Sequence, residues 1–313
     1  MPLKGVVKGK RKPPRIVLYG PPGVGKSTFG ADAPDPVILT TEDGVDNLPV
    51  DQFPVPKDWA GLLENVSEVV KGKHSYKTLV LDTLNGAVEL ASLHVCAKHY
   101  GGQWTAKGGN GGFLAWGQGW RATSEELRHL LVLLDECRKN KMLVMLLAHV
   151  GLHNVKHPSD GDYTKFAPEV DKAVWSRVHK WSDIILRADY ETTIIKDDKS
   201  SAKAKVFSTQ TRFMTCAGSA AEDAKCRAGY ELPDDEMPLD FKEFQALMGK
   251  PTSSIDAVRA LWPVLNKDQA KTTLAWLGVA KLEEASLTKV RQLLDRLRKI
   301  KADQDAETED ETS

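Results

Sequence analysis

Gly20, Pro21, Pro22, Gly23, Val24, Gly25, Lys26, Ser27 and Thr28 fulfil the pattern G-x-x-x-x-G-K-[S/T] in full. Each residue type has a task in phosphate chemistry. The glycines let backbone N–H groups converge on phosphate oxygens, helped by the start of the following helix. Lys26 then reaches the β and γ phosphates, and the Ser27 hydroxyl becomes a ligand of Mg²⁺. A glycine turn matching by chance is the alternative, and the flanks argue against it. Ile16-Val17-Leu18-Tyr19 reads as a strand, and Thr28-Phe29-Gly30-Ala31 opens a helix. ATP and Mg²⁺ are therefore the expected cofactors.

Three more side chains are placed to act on a bound triphosphate. Asp82 closes the apolar run Thr78-Leu79-Val80-Leu81, where a carboxylate beside the phosphate-loop strand would hold Mg²⁺ through water; its alternative is the cap of the next helix. Glu42 follows the strand Val37-Ile38-Leu39-Thr40 and is the candidate to polarise an attacking water, with Asp43 as its rival and a plain turn carboxylate as the alternative. His149 ends the buried run Met142 to Ala148, where it could sense the γ-phosphate; an edge histidine without that role is the alternative. The catalytic set is thus Lys26, Glu42, Asp82 and His149, with Ser27 and Asp82 as the metal residues.

A different chemistry is suggested by Gly101 to Gly119, which holds eight glycines together with Trp104, Phe113 and Trp116, and is followed by Trp120. Lys98, Lys107 and Arg121 flank or interrupt it. Flexible backbone, stacking faces and cations are what single-stranded nucleic acid binding uses; an ordered lid with its aromatics turned inward is the equal alternative. Residues 150 to 168 read as a polar loop, in which His153, Lys156, His157, Tyr163, Lys165 and Phe166 could line the same groove.

These residues need a scaffold, and the chain alternates strand and helix as one would. Trp59, Leu62, Leu63, Val66, Val69 and Val70 make one face of a helix over 58 to 71, with Asp58 as its N-cap. A further helix runs to about Lys98. Thr123 and Glu126 have capping-box spacing ahead of the stripe Leu127, Leu130, Leu131 and Leu134. Val174 to Tyr190 suggests a helix and a strand, and Thr192 to Ile195 with Ala204 to Phe207 a hairpin. The fold class is α/β, a mostly parallel sheet flanked by helices. The organisation read from composition is a basic arm at 1–14, the core at 15–249, a linker at 250–254, a small helical domain at 255–300 and an acidic tail at 301–313.

The 313 residues are 41% hydrophobic and 27% charged with net charge +0, an ordinary globular composition. That balance hides polarised ends: Lys4, Lys8, Lys10, Arg11, Lys12 and Arg15 open the chain, and six carboxylates without a cation follow Lys301. The tail is expected to compete with nucleic acid for basic surface. Cys96, Cys137, Cys216 and Cys226 form no C-x-x-C pair or zinc set, which points to a reducing cytoplasm. No run is long enough for a membrane span, and no apolar signal core follows the N-terminal cations.

Four stretches resemble the RecA-like P-loop ATPases, and most closely the phage ATPases of single-strand annealing and recombination: Tyr19 to Thr28, Thr41-Glu42-Asp43-Gly44, Leu79 to Thr83, and Ala224-Lys225-Cys226-Arg227 with Leu232-Pro233. The resemblance covers about residues 15 to 249. It implies Glu42 rather than Asp43 as catalytic carboxylate, and coupling of γ-phosphate to DNA-binding loops through His149. It also implies a filament or ring with nucleotide at subunit joints, where Lys225 and Arg227 would act in trans. The usual Lys-Asn-Arg reads Lys-Cys-Arg here, and no long helical N-terminal oligomerisation domain precedes the core.

The expected function is an ATPase that binds single-stranded DNA, assembles on it as a multimer and supports annealing or recombination, with a single-strand-binding protein as a possible further partner. Two alternatives stand beside it: an annealing protein using ATP only as an assembly switch, and a small-molecule P-loop kinase. DNA contacts are expected from Trp104, Lys107, Phe113, Trp116, Trp120, Arg121, Lys156 and Lys165.

Overall fold

β-branched and leucine-rich runs bounded by glycine, proline and aspartate become strands, and the central ones, Arg15–Gly20, Pro36–Thr40 and Thr78–Asp82, bury both faces, as parallel strands covered by helices must. The computed structural model describes residues 12–42, 44, 47–105, 111–156, 161–195, 205–227, 230, 232–233, 236–248, 258, 262–265, 267–277, 293, 296–297 and 300. The arm cations Lys4, Lys8, Lys10 and Arg11, and also Asp43, Lys107, His157, the 250–254 linker, most of the flanking helical stretches and the acidic tail, lie outside the described residues.

Two compact units divide the chain, one of residues 1–227 and 232–246, the other of 228–231 and 247–313. In the first unit the strands are β1 (Arg15–Gly20), β2 (Pro36–Thr40), β3 (Asp51–Phe53), β4 (Thr78–Asp82), β5 (Leu143–Val155), β6 (Tyr163–Pro168), β7 (Ile184–Ile195), β8 (Lys205–Thr215), β9 (Lys225–Cys226) and β10 (Glu236–Pro238). The helices are α1 (Lys26–Ala31), α2 (Trp59–Lys71), α3 (Leu84–Tyr100), α4 (Gln118–Lys139), α5 (Lys172–Trp181) and α6 (Phe241–Met248). The sheet runs β10-β8-β7-β1-β5-β4-β2-β3, with β6 on β5 and β9 on β7. From β7 to β3 neighbours are parallel; β8, β10, β6 and β9 are antiparallel additions. This is the mostly parallel, helix-flanked sheet that the alternation of strand and helix predicts.

One face of the sheet is closed by a continuous core. Val17, Tyr19, Leu39, Leu79, Leu81, Val144 and Leu146 meet Trp59, Leu62 and Val66 of α2, Leu84 and Ala87 of α3, and Leu127, Leu130 and Leu134 of α4. Asp58 caps α2 as expected, its Oδ1 accepting from the Gly61 amide at 2.8 Å. On the other face Phe29 of α1 packs edge-on against Phe241 and Phe244 of α6, at centroid distances of 5.1 and 5.7 Å.

Three sequence expectations need correction. The α4 helix starts at Gln118, so Thr123 is interior and its hydroxyl back-bonds to the Gly119 carbonyl at 2.9 Å instead of capping. Residues 150 to 168 are not simply a loop: β5 continues to Val155 and returns as β6 in an antiparallel hairpin. Asp82 does not end a strand next to β1, because β5 lies between β1 and β4. Arg15 heads β1, where the core was expected to begin, with Nε and Nη2 on the two Asp183 oxygens at 3.0 and 2.9 Å and its guanidinium over Trp181. In the second unit the described elements are a short 3-10 helix (Trp262–Val264) and α7 (Lys267–Leu277), and Val258, Leu293 and Leu297 are buried there.

Candidate active site

Phosphate-loop residues leave the sheet at a sterically fixed point. Gly20 ends β1 against β7, and a Cβ there would sit 2.4 Å from the Ala188 carbonyl oxygen. Gly23 and Gly25 then take positive φ, 76° and 107°, the backbone shape in which successive N–H groups converge on an anion. Lys26 folds back over the loop, its Nζ donating to the Gly20 and Pro21 carbonyls at 2.9 Å each. Burial lowers its pKa, opposed by the charges of Asp82 and Glu42.

Ser27 and Asp82 meet directly, with Ser27 Oγ donating to Asp82 Oδ2 at 2.5 Å. Burial raises the Asp82 carboxyl above its ordinary range, the Glu42 charge pushing the same way, while Ser27 and Lys26 oppose it. One hydroxyl and one carboxylate form a small, hard, all-oxygen set. It suits Mg²⁺, which keeps several waters and takes its remaining ligands from phosphate. The loop conformation and this pair fit Mg-ATP, with Lys26 and the loop backbone for the phosphates and Ser27 and Asp82 for the metal.

Facing them is a second carboxylate, Glu42. Thr41 N donates to the Asp82 carbonyl at 2.8 Å, tying the end of β2 to the end of β4 and delivering Glu42 beside it. The Thr83 hydroxyl donates to Glu42 Oε1 at 2.5 Å, and His149 Nε2 lies 3.2 Å from Oε2. Burial would raise the Glu42 carboxyl, but these hydrogen bonds, with the charges of His149 and Lys26, hold it below the ordinary carboxylate range. An ionised, half-exposed carboxylate with a fixed orientation can accept a proton from water. The four residues expected to act together are therefore brought together.

His149 does not end its strand; it pairs with Gly20 in the middle of β5. Its peptide is gripped on both sides: the amide donates to Asn85 Oδ1 at 2.9 Å, and its carbonyl accepts from the Glu169 amide at 2.9 Å. Asn85 also donates to the Glu169 carbonyl at 2.8 Å. Thr83 and Asn85 escaped sequence reasoning, although an Asp-Thr pair closing a strand is the available signal for Thr83, which N-caps α3.

The glycine-rich stretch is divided in its behaviour. Phe113, expected to stack on bases, is instead buried, boxed by Tyr100, Trp104 and Trp120 at centroid distances of 5.8, 4.5 and 5.0 Å. Aromatic edge-to-face packing, not solvent, satisfies it. Trp116 is 78% exposed. Trp104 and Trp120 wall a cleft of about 710 Å³ whose lining includes Asn85, Glu89, Leu152, Glu169 and Lys172. Arg121 and Lys156 are exposed, whereas Lys165 is paired with Asp223 at 2.8 Å.

Lys225 and Arg227 lie on or just after β9, opposite the N-terminal end of β7, not on a helix, and so at the other end of the strands from the phosphate loop. Lys225 Nζ donates to the His179 carbonyl and Arg227 Nη2 to that of Lys180. They occupy carbonyls at the C-terminal end of α5, which have no partner within the helix.

A sheet with its P-loop strand and Asp82 strand separated by the His149 strand, and a glycine cradle beside paired acids, defines a P-loop nucleoside triphosphatase. The AAA-domain family model matches residues 12–228, and the chain belongs to that family of P-loop ATPases. No curated protein matches the sequence. Among solved structures, the crystal structure of the RadB recombinase aligns with a TM-score of 0.32 and 15% identity, over 65% of this chain and 80% of that one. No helix among the described residues is long and apolar enough to cross a membrane.

Proposed function

We propose that the chain is an ATPase that assembles as a multimer on single-stranded DNA and serves annealing or recombination. The observation that carries this reading is the continuous path from the nucleotide pocket to the tryptophan cleft. Glu42 touches His149, the His149 peptide is held by Asn85 and Glu169, and Asn85 and Glu169 line the cleft walled by Trp104 and Trp120.

In this reading Mg-ATP, when bound, supplies the phosphoryl group and its charge. Lys26 and the loop amides orient the phosphates, Ser27 and Asp82 hold the metal, and Glu42 takes a proton from the attacking water. Thr83 and His149 keep the Glu42 carboxylate aimed. Displacement of the His149 side chain would pull on the peptide shared with Asn85 and so on the cleft. Bases, not phosphates, suit that cleft, since Glu89, Glu169 and Asp171 on its walls outnumber Lys172. Exposed Trp116, Arg121 and Lys156 would supply further stacking and backbone contacts. In a ring or filament, Lys225 and Arg227 would have to exchange their α5 carbonyls for a neighbour's nucleotide.

Steady-state ATP hydrolysis without nucleic acid, with single-stranded DNA and with duplex DNA tests this reading, with Lys26→Ala as the blank. Stimulation by single strands alone is expected. DNA-independent turnover would favour a metabolite kinase, and multimerisation on ATP and DNA without turnover an assembly switch.

A further inference from the structure

The nucleotide pocket is short of positive charge. Lys26 lies within electrostatic reach of two carboxylates, Asp82 and Glu42, before any phosphate arrives. Other basic groups of the same unit are already engaged: Arg187 with Glu222 and Asp189, Lys165 with Asp223, and, at the far end of the strands, Lys225 and Arg227 with the end of α5.

Arg212 differs. It is exposed, and among the described residues no ion pair or side-chain hydrogen bond engages its guanidinium. It stands on β8 directly opposite Tyr190 of β7, and this pair overhangs the phosphate loop. A Cβ at Gly25 would lie 3.0 Å from Arg212 Nη1, and one at Gly23 would lie 3.7 Å from the Tyr190 hydroxyl. Gly25 therefore leaves room for the guanidinium as well as for the positive φ. The Arg212 carbonyl is fixed by the Leu239 amide at 3.1 Å, so only the side chain is left to move. Its Cζ rests 5.9 Å from the Tyr190 ring centroid, the outer limit of a cation–π contact and a weak hold on an exposed cation.

We propose that Arg212 is a phosphate-binding residue of the nucleotide site, acting within its own chain. It rests on Tyr190 when the loop is empty and swings onto the phosphates when they occupy it. The planar fork of a guanidinium suits two phosphate oxygens, and the local excess of carboxylates gives the added cation its effect. The inference rests on the P-loop reading of the pocket and adds a residue that lies 187 positions beyond Gly25 in sequence, outside any motif.

The test is equilibrium binding of Mg-ATP and of inorganic tripolyphosphate by displacement of a fluorescent nucleotide. Wild type, Arg212→Ala, Arg212→Gln and Lys26→Ala are compared, with thermal unfolding of each nucleotide-free protein. Both Arg212 variants are expected to bind both ligands about tenfold or more weakly while unfolding close to the wild-type temperature, since the exposed side chain has only its weak contact with the Tyr190 ring to lose. Wild-type affinity for both ligands would overturn the proposal. So would weakened ATP binding with unchanged tripolyphosphate binding, which would put Arg212 on the base or ribose. Loss of binding in Lys26→Ala establishes the P-loop reading separately, whichever way the Arg212 variants come out.

Discussion

Replacing Glu42 by glutamine separates chemistry from binding. The amide keeps the side-chain volume and one oxygen for the Thr83 hydroxyl, but removes the charge and the basic oxygen that faces His149. Loss of a positioned general base costs about 10²- to 10⁴-fold in rate, or about 3 to 5 kcal/mol of barrier. Nucleotide affinity should move the other way or not at all, because a negative charge that opposes the phosphates beside Lys26 is gone. Phosphate release over a range of Mg-ATP concentrations gives kcat and KM, and direct titration gives Kd. Since Thr83, His149 and Lys26 outweigh burial and hold the Glu42 carboxyl low, the wild-type rate should lose its base only at pH values below the ordinary glutamate range. A Glu42→Gln rate within about threefold of wild type would refute the assignment, as would an equal loss of nucleotide binding.

Asp183→Ala should destabilise the core by about 3 to 5 kcal/mol, because this buried carboxylate joins Arg15, Arg138 and Arg227; urea unfolding reads it. Although burial alone would raise the Asp183 carboxyl, its arginines hold it low. Its contribution is therefore complete above the unfolded carboxyl's ordinary pKa, roughly 4, and is lost as pH falls through the lower folded value, so the mutant should show a flatter acid limb. Phe113→Ala should cost about 3 kcal/mol from the emptied cluster, whereas Trp116→Ala should stay within about 0.5 kcal/mol; thermal melts of the pair decide. Asn85→Ala should speed hydrogen exchange of the His149 amide, whose acceptor it removes, and unchanged protection would sever the proposed path to the cleft.

What could be read from the sequence was what is local. The phosphate loop, the strand ending in Asp82, and Glu42 after β2 each declare themselves within a few residues, because glycine spacing and apolar runs are short-range signals. The first turn of α4 was hidden because Gly117, Gln118 and Gly119 look like loop, and only the packing of Gly119 against Phe113 explains that glycine. The β5–β6 hairpin was masked by its polar outer positions, His153, Asn154 and Lys165, which suit an exposed ladder as well as a coil. Asn85 and Arg212 lie far from their partners in the chain, and no spacing rule reaches them. The inward turn of Phe113 depends on Tyr100, Trp104 and Trp120 closing around it, whereas composition favoured neither orientation.

The first glycine of the phosphate motif carries a warning for mutagenesis. At Gly20 the space for a side chain is taken by the Ala188 carbonyl of the neighbouring strand, not by the nucleotide cradle. Any larger residue there would pry β1 from β7 and shift the exit of the whole loop. An inactive Gly20 variant would thus report on the seam between two strands, and its lost activity would carry no information about phosphate contact at that position.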